Sequence, residues 1–324
     1  MKAILCHKYS SNISLKYEKI KSPIPKKDEI LISVKVAGVN FPDILIVQGK
    51  YQFKPELPFS PGGEVSGIIK KVGENVKKFK VGDKVFAGST WGGFSEEAIV
   101  MSSNTFKIPN GISYEDAAAS MVNYGTSFHA LVDRAKIKKN EVILILGASG
   151  GVGTAAIQIA KQLGAIVIAA ASSKEKLDYC KEIGADYCIN YSKDDIKEKV
   201  KSLTKGIGAN IIYDPVGDKF SEPALRSIAW KGRFLVVGFA AGQIPKIPLN
   251  LVLLKGCQII GVFWGLFFRK NPLANARNFS TILKWIKNKK LNINFDKKFL
   301  LKDAKKALNY VMNRKVKGKI LLIP

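Results

Sequence analysis

The segment Leu144–Ile145–Leu146–Gly147–Ala148–Ser149–Gly150–Gly151–Val152–Gly153 joins an apolar run to a glycine turn and the start of a helical pattern. A dinucleotide's pyrophosphate needs this arrangement, because glycines let the backbone come close while free N–H groups and the positive end of the helix face the phosphates. Gly150 permits the close approach and Gly153 permits the helix to pack on its strand. Ala148 takes the first glycine slot of G-x-G-x-x-G, and Ser149, Gly151 and Val152 complete the expected cradle. The second strand ends Ala169–Ala170–Ala171–Ser172–Ser173–Lys174, without the carboxylate that would bind an unmodified ribose and repel a 2′-phosphate. Ser172 and Ser173 hydroxyls and the Lys174 ammonium suit such a phosphate, and Tyr191, past the third strand, is a candidate for the same pocket. The expected cofactor is NADPH. The purely structural alternatives are a helix-capping serine and a solvated first-turn lysine.

These residues need a scaffold, and the chain supplies its pattern. From Glu141 onward apolar runs alternate with amphipathic stretches: strands at Val142–Leu146, Ile166–Ala170, Tyr187–Asn190, Asn210–Tyr213, Arg233–Val237 and Gln258–Phe263, and helices at Val152–Leu163, Lys174–Ile183 and Phe220–Trp230. Such alternation predicts a doubly wound parallel sheet of six strands. Residues 1 to about 120 read differently, as short strands cut by Gly and Pro at Ile30–Val36, Gly63–Lys71, Asp83–Ala87 and Phe94–Val100. A helix over Ala117–His129 and a basic linker, Lys136–Asn140, lead out of that region. The last sixty residues predict helices near Phe279–Asn288 and Lys302–Asn313, then a strand, Lys319–Ile323, that should return to the first domain.

Composition bounds the rest. The chain is 47% hydrophobic and 24% charged over 324 residues, which excludes global disorder and suits two domains. Its longest apolar stretch, Ile259–Phe268, is half of what a membrane span requires, and no long apolar leader follows Met1, so a cytoplasmic protein without membrane attachment is expected. Cys6, Cys180, Cys188 and Cys257, with His7 and His129, show no paired short spacing, so free thiols and no metal site are expected. Fifty-two basic against 26 acidic residues give a net charge of +26, an ordinary footprint of polyanion binding. Yet only six of the basic residues are Arg, the side chain that dominates nucleic-acid contacts, so a lysine-rich solvated surface is favoured over weak, salt-sensitive RNA binding.

Further motifs run in order through nearly the whole chain: Gly38–Val39–Asn40–Phe41–Pro42–Asp43, Pro61–Gly62–Gly63–Glu64–Val65–Ser66–Gly67, Gly73 with Val81–Gly82–Asp83–Lys84–Val85, and Tyr124–Gly125–Thr126–Ser127–Phe128–His129–Ala130–Leu131. Beyond the glycine turn come Tyr213–Asp214–Pro215–Val216–Gly217 and Gly318–Lys319–Ile320–Leu321–Leu322–Ile323–Pro324. With these the sequence resembles the zinc-free, zeta-crystallin-like quinone oxidoreductases of the medium-chain dehydrogenase/reductase superfamily. The resemblance implies an α/β fold: a GroES-like β-rich catalytic domain over residues 1–122, completed by 265–324, and a Rossmann NADPH-binding domain over 123–264. It also implies an active site in a cleft and a homodimer joined through the sheet edge near Ile259–Phe263.

Zinc-dependent relatives carry Cys where Asn40 stands and His where Gly63 stands, and often a four-cysteine loop, whereas residues 88–100 here hold no cysteine. Neutral Asn and Gly cannot replace thiolate and imidazole. Without a Lewis acid, alcohol oxidation is disfavoured, and reduction of a quinone or an electron-poor enone is the expected reaction. By family position Asn40, Tyr51 and Thr126 line the nicotinamide and acceptor region: Asn40 to bind an acceptor oxygen or carboxamide, Tyr51 to stack or donate a proton, Thr126 to hold the cofactor. Gly238, Phe239, Phe263 and Arg314 are the remaining cofactor contacts that the resemblance implies. Some bacterial members carry a tyrosine where Leu45 stands, so the final proton is expected from water. Asp214 and His129 are read as structural residues. The alternatives kept beside this reading are an enoyl-thioester reductase acting on CoA or acyl-carrier substrates and, from another class, a zeta-crystallin-like RNA-binding protein.

Overall fold

The strand Lys319–Ile323 pairs antiparallel with the eleven-residue strand Glu29–Val39, in the register Ile320↔Val39, so the end of the chain is built into the region that begins it. The computed structural model describes all 324 residues, Met1–Pro324. They divide into two compact units, Met1–Val122 with Phe267–Pro324, and Asn123–Leu266.

In the first unit Glu29–Val39 is the hub of a mostly antiparallel seven-stranded sheet. It also pairs with Glu64–Val72 and Glu97–Met101, and Glu64–Val72 passes the sheet on to Lys84–Gly88. Ile30, Ile32, Val65, Val85, Leu308 and Ile320 lie in one core with almost no exposure. Each such side chain stabilises the fold by roughly 1.5–3 kcal/mol relative to exposure. Phe295–Leu300, not expected as a strand, runs parallel beside Lys319–Ile323. A helix at Phe41–Val47, also unforeseen, opens with Pro42 in its first turn, where a missing N–H costs nothing.

In the second unit the strands are numbered β1 (Val142–Leu146), β2 (Ile166–Ala171), β3 (Tyr187–Asn190), β4 (Ala209–Asp214), β5 (Ile228–Val236) and β6 (Gln258–Gly261). The intervening helices are α1 (Gly151–Gln162), α2 (Lys174–Glu182), α3 (Ile196–Leu203), α4 (Ser221–Arg226) and α5 (Leu249–Lys255). All neighbours are parallel and the order is β3-β2-β1-β4-β5-β6. The α/β reading, a GroES-like domain with a doubly wound sheet, therefore holds. β1 and β2 read as continuous apolar runs because helices cover both faces of a parallel sheet, and Leu144, Leu146 and Ile168 are fully buried. One correction falls at the helix expected over Phe220–Trp230: α4 stops at Arg226, and Ile228, Ala229 and Trp230 already belong to β5. The helix Tyr114–Phe128 runs on into a π-helical turn, His129–Arg134, where His129 Nδ1 pairs with Asp133 Oδ2 at 2.7 Å, the structural role expected of it.

No helix is long and apolar enough to cross a membrane.

Candidate active site

The strand order reverses between β1 and β4, and the chain leaves β1 through the glycine turn. Crevices at such switch points, beyond the carboxyl ends of the strands, are where open α/β sheets bind ligands. Gly147 carries the turn's positive φ, +57°, and its carbonyl accepts the Gly150 N–H at 3.0 Å. A methyl group on Gly153 would stand 2.5 Å from the Gly147 oxygen and 2.7 Å from Ala148 Cα, so only glycine lets α1 start this close to β1. Thr154 donates to Gly150 O, leaving the N–H groups of Gly151, Val152 and Gly153 as the free first turn of α1. This cradle fits a pyrophosphate. Ser149 is buried beside it and Val152 half-buried. Ala148 is fully buried and builds the turn, with its N–H given to Ala170 O at 3.1 Å.

The end of β2 redistributes the expected phosphate contacts. Ser173 is the N-cap of α2, its hydroxyl accepting the Lys176 N–H. Lys174 is exposed and its ammonium lies 2.7 Å from Asp178 along the helix. Lys176 instead reaches back to Ser172 Oγ at 3.4 Å. Its own position two residues further on was not anticipated; a side chain one turn into a helix lies over the turn preceding it, which is the signal that could have found it. Tyr191 lies beside the same strand end, its N–H donating to Ala171 O, with its ring tilted against Phe220 at 4.6 Å. Ser172, Lys176 and Tyr191 are thus brought together.

Past β5, Gly238 donates its N–H to Asp214 O at 3.3 Å and Phe239 packs on Gly217, so both sit at the strand ends near the switch point. Asp214 accepts N–H groups from Val216 and Gly217 and the Ser221 hydroxyl, a carboxylate spent on shaping its turn. Burial still pushes its pKa up against these three hydrogen bonds. Thr126 is half-buried on the helix Tyr114–Phe128. The next residue, Ser127, donates to Val152 O at 2.8 Å and meets Tyr213 Oη at 2.9 Å, which ties this helix to the first turn of α1. Phe263 is exposed just after β6.

The remaining expected residues belong to the first unit. Arg314 is exposed after the helix Ala304–Met312, with a φ of +55°. Asn40 sits in a buried polar network. Because Ile320 faces Val39, Lys319 falls beside Asn40, and because Val65 faces Ala37, Glu64 falls beside Gly38. A methyl group at Gly38 would lie 1.9 Å from Glu64 Oε1, so glycine there leaves room for the carboxylate. Asn40 Nδ2 donates to Glu64 Oε1 at 3.0 Å and its Oδ1 accepts from Lys319, which also forms an ion pair with Glu64. Glu64 Oε2 takes the Val122 N–H. The carboxamide expected at an acceptor oxygen is therefore held at both ends inside the protein. Sequence reading missed Glu64, Lys319 and Asp43 as members of this network.

Asp43 accepts the Asn40 N–H at 2.7 Å and is 1% exposed. Burial first, with the charge of Glu64, pushes it up to about 7 against the Asn40 and Gly63 N–H groups and the Lys319 charge. Tyr51 is half-buried, edge-on to Phe53, and the Arg269 guanidinium lies 4.4 Å from the Phe53 ring centre. Burial and then the Asp43 charge raise the Tyr51 pKa, and Arg269 lowers it, so its hydroxyl keeps its proton at neutral pH.

A carboxyl group with a raised folded-state pKa binds its proton better folded than unfolded. Its contribution to stability is complete below the ordinary value near 4 and is lost as pH rises through about 7. Asp43→Asn is accordingly expected to flatten the fall in melting temperature across pH 4–7, a difference of at most about 4 kcal/mol. A variant with the wild-type slope would refute it.

Comparison with known proteins agrees with this architecture. Residues 26–110 match the alcohol dehydrogenase GroES-like domain and residues 151–287 the zinc-binding dehydrogenase family. The chain is 39% identical to quinone oxidoreductase-like protein 2 of Bos taurus, over 91% of this chain and 84% of that one. It is 33% identical to quinone oxidoreductase 1 of Escherichia coli, over 93% and 92%. The crystal structure of Escherichia coli quinone oxidoreductase complexed with NADPH superposes with a TM-score of 0.94 at 29% identity, covering all of both chains. A GroES-like unit together with a 3-2-1-4-5-6 nucleotide-binding sheet defines a medium-chain dehydrogenase/reductase. Within that class the chain belongs to the quinone oxidoreductase family.

Proposed function

We propose that this protein is a zinc-independent, NADPH-dependent oxidoreductase that reduces quinones or related electron-poor enones. The observation that carries the cofactor half is the end of β2, where Ser172 and Lys176 meet and no carboxylate stands. Bound NADPH supplies the hydride. The first turn of α1 holds the pyrophosphate, Ser172, Ser173, Lys176 and Tyr191 the 2′-phosphate, and Gly238, Phe239, Phe263 and Arg314 are carried over as further contacts. Thr126 orients the cofactor. Tyr51 Oη, still protonated at neutral pH, hydrogen-bonds the acceptor oxygen, and water supplies the final proton.

The network around Asn40 supports the zinc-free half. Where a Lewis-acid site would need anionic or imidazole ligands, Glu64 is already neutralised by Lys319, and a divalent cation beside that ammonium would be repelled. No group of three or more His, Cys, Asp or Glu is placed to hold a metal ion. Purified protein in EDTA is expected to oxidise NADPH with 1,4-benzoquinone or 9,10-phenanthrenequinone. Faster turnover with crotonyl-CoA would replace this reading by an enoyl-thioester reductase.

The homodimer is proposed on the open edge of β6, where Ile259 is exposed together with Trp230, Leu249 and Leu253. Light scattering should give twice the chain mass, and Ile259→Lys should shift it toward the monomer. A monomeric wild type would refute the pairing.

A further inference from the structure

Gly151 is a glycine that the G-x-G-x-x-G pattern does not ask for, and the structure explains it by a neighbour. A methyl group there would stand 2.4 Å from Nδ2 and 2.9 Å from Oδ1 of Asn123. Asn123 lies on the helix Tyr114–Phe128, three residues before Thr126 and so on the same side of that helix. It is only 5% exposed, no hydrogen bond joins its carboxamide to the protein, and the amide atoms themselves still reach solvent. An amide so placed is free to take a ligand's acceptor, and a polar group this little exposed is stabilised by such a partner. The amide faces the residue that opens α1, where the first-turn N–H groups also lack acceptors. The bond from Ser127 to Val152 O ties the two helices together, and that to Tyr213 Oη ties the first of them to β4.

We infer that Asn123 is an additional donor of the phosphate cradle, its Nδ2–H reaching a pyrophosphate oxygen of the dinucleotide alongside the N–H groups of α1. The inference rests on the dinucleotide reading above and adds a residue to it. Gly151 is then glycine because a side chain would displace the amide from the anion.

Calorimetric titration with NADPH and with 2′-AMP, which carries the 2′-phosphate but no pyrophosphate, tests it. Asn123→Ala should weaken NADPH binding about tenfold and leave 2′-AMP within about twofold. Asn123→Asp, which brings a negative charge to the phosphates, should weaken NADPH further, with a loss that shrinks as salt is added. Since the amide has no partner in the protein, the melting temperature of ligand-free Asn123→Ala should equal or exceed that of the wild type. NADPH affinity unchanged in Asn123→Ala, or an equal loss for 2′-AMP, or a lowered melting temperature would overturn the inference. A wild type that binds neither ligand would instead refute the dinucleotide reading itself.

Discussion

Lys319→Met is expected to destabilise the protein by about 3–5 kcal/mol, the scale of removing one partner from a buried ion pair. Lys319 is 3% exposed and Glu64 fully buried, so the variant strands a carboxylate away from water beside Asp43. Asp43, whose pKa the Lys319 charge holds down, then binds its proton still better in the folded protein, and stability should fall more steeply as pH rises. Adding Glu64→Gln removes the stranded charge and should recover most of the loss, because a neutral buried pair avoids the desolvation cost. Denaturant unfolding at pH 7 of the wild type, both single variants and the double variant measures this coupling. A Lys319→Met protein within about 1 kcal/mol of the wild type, or a double variant no better than the single, would contradict the network described here.

The second large effect concerns cofactor choice. Lys176→Ala is expected to weaken NADPH about 10- to 100-fold, the range of a charge-assisted hydrogen bond to phosphate, while changing NADH less than about twofold. Lys174→Ala should do little, since its ammonium pairs with Asp178 along an exposed face of α2. Calorimetry on both variants separates the two lysines. Loss confined to Lys174→Ala would return the phosphate contact to the residue that the sequence alone suggested.

That exchange of lysines shows where sequence reading ends. The glycine turn and the six-strand alternation were legible because each depends on neighbours within a few residues: turn, cap and apolar run. The Lys174 and Lys176 positions differ by two residues on one helix, about 200° apart, and which ammonium turns back toward Ser172 is set by the direction of Cα–Cβ in the first turn. Asn40 is harder still. Its orientation depends on Lys319, brought beside it by pairing of the first and last thirds of the chain, and no local pattern reports that register. Phe295–Leu300 was missed because Lys297 and Lys298 interrupt its apolar alternation; pairing with Lys319–Ile323 gives it its extended form. In the overlong helix at Phe220–Trp230, the apolar residues Ile228 and Ala229 suit either periodicity, and the tertiary pairing of β5 with β4 decides for strand.

The most direct test of the account is a comparison of kcat/KM for NADPH and for NADH with 9,10-phenanthrenequinone, on protein dialysed against EDTA and verified metal-free by emission spectroscopy. The account predicts turnover at full rate without metal and a preference for NADPH of at least about tenfold, which Lys176→Ala abolishes. Activity that disappears with the metal, or equal use of NADH, would contradict it.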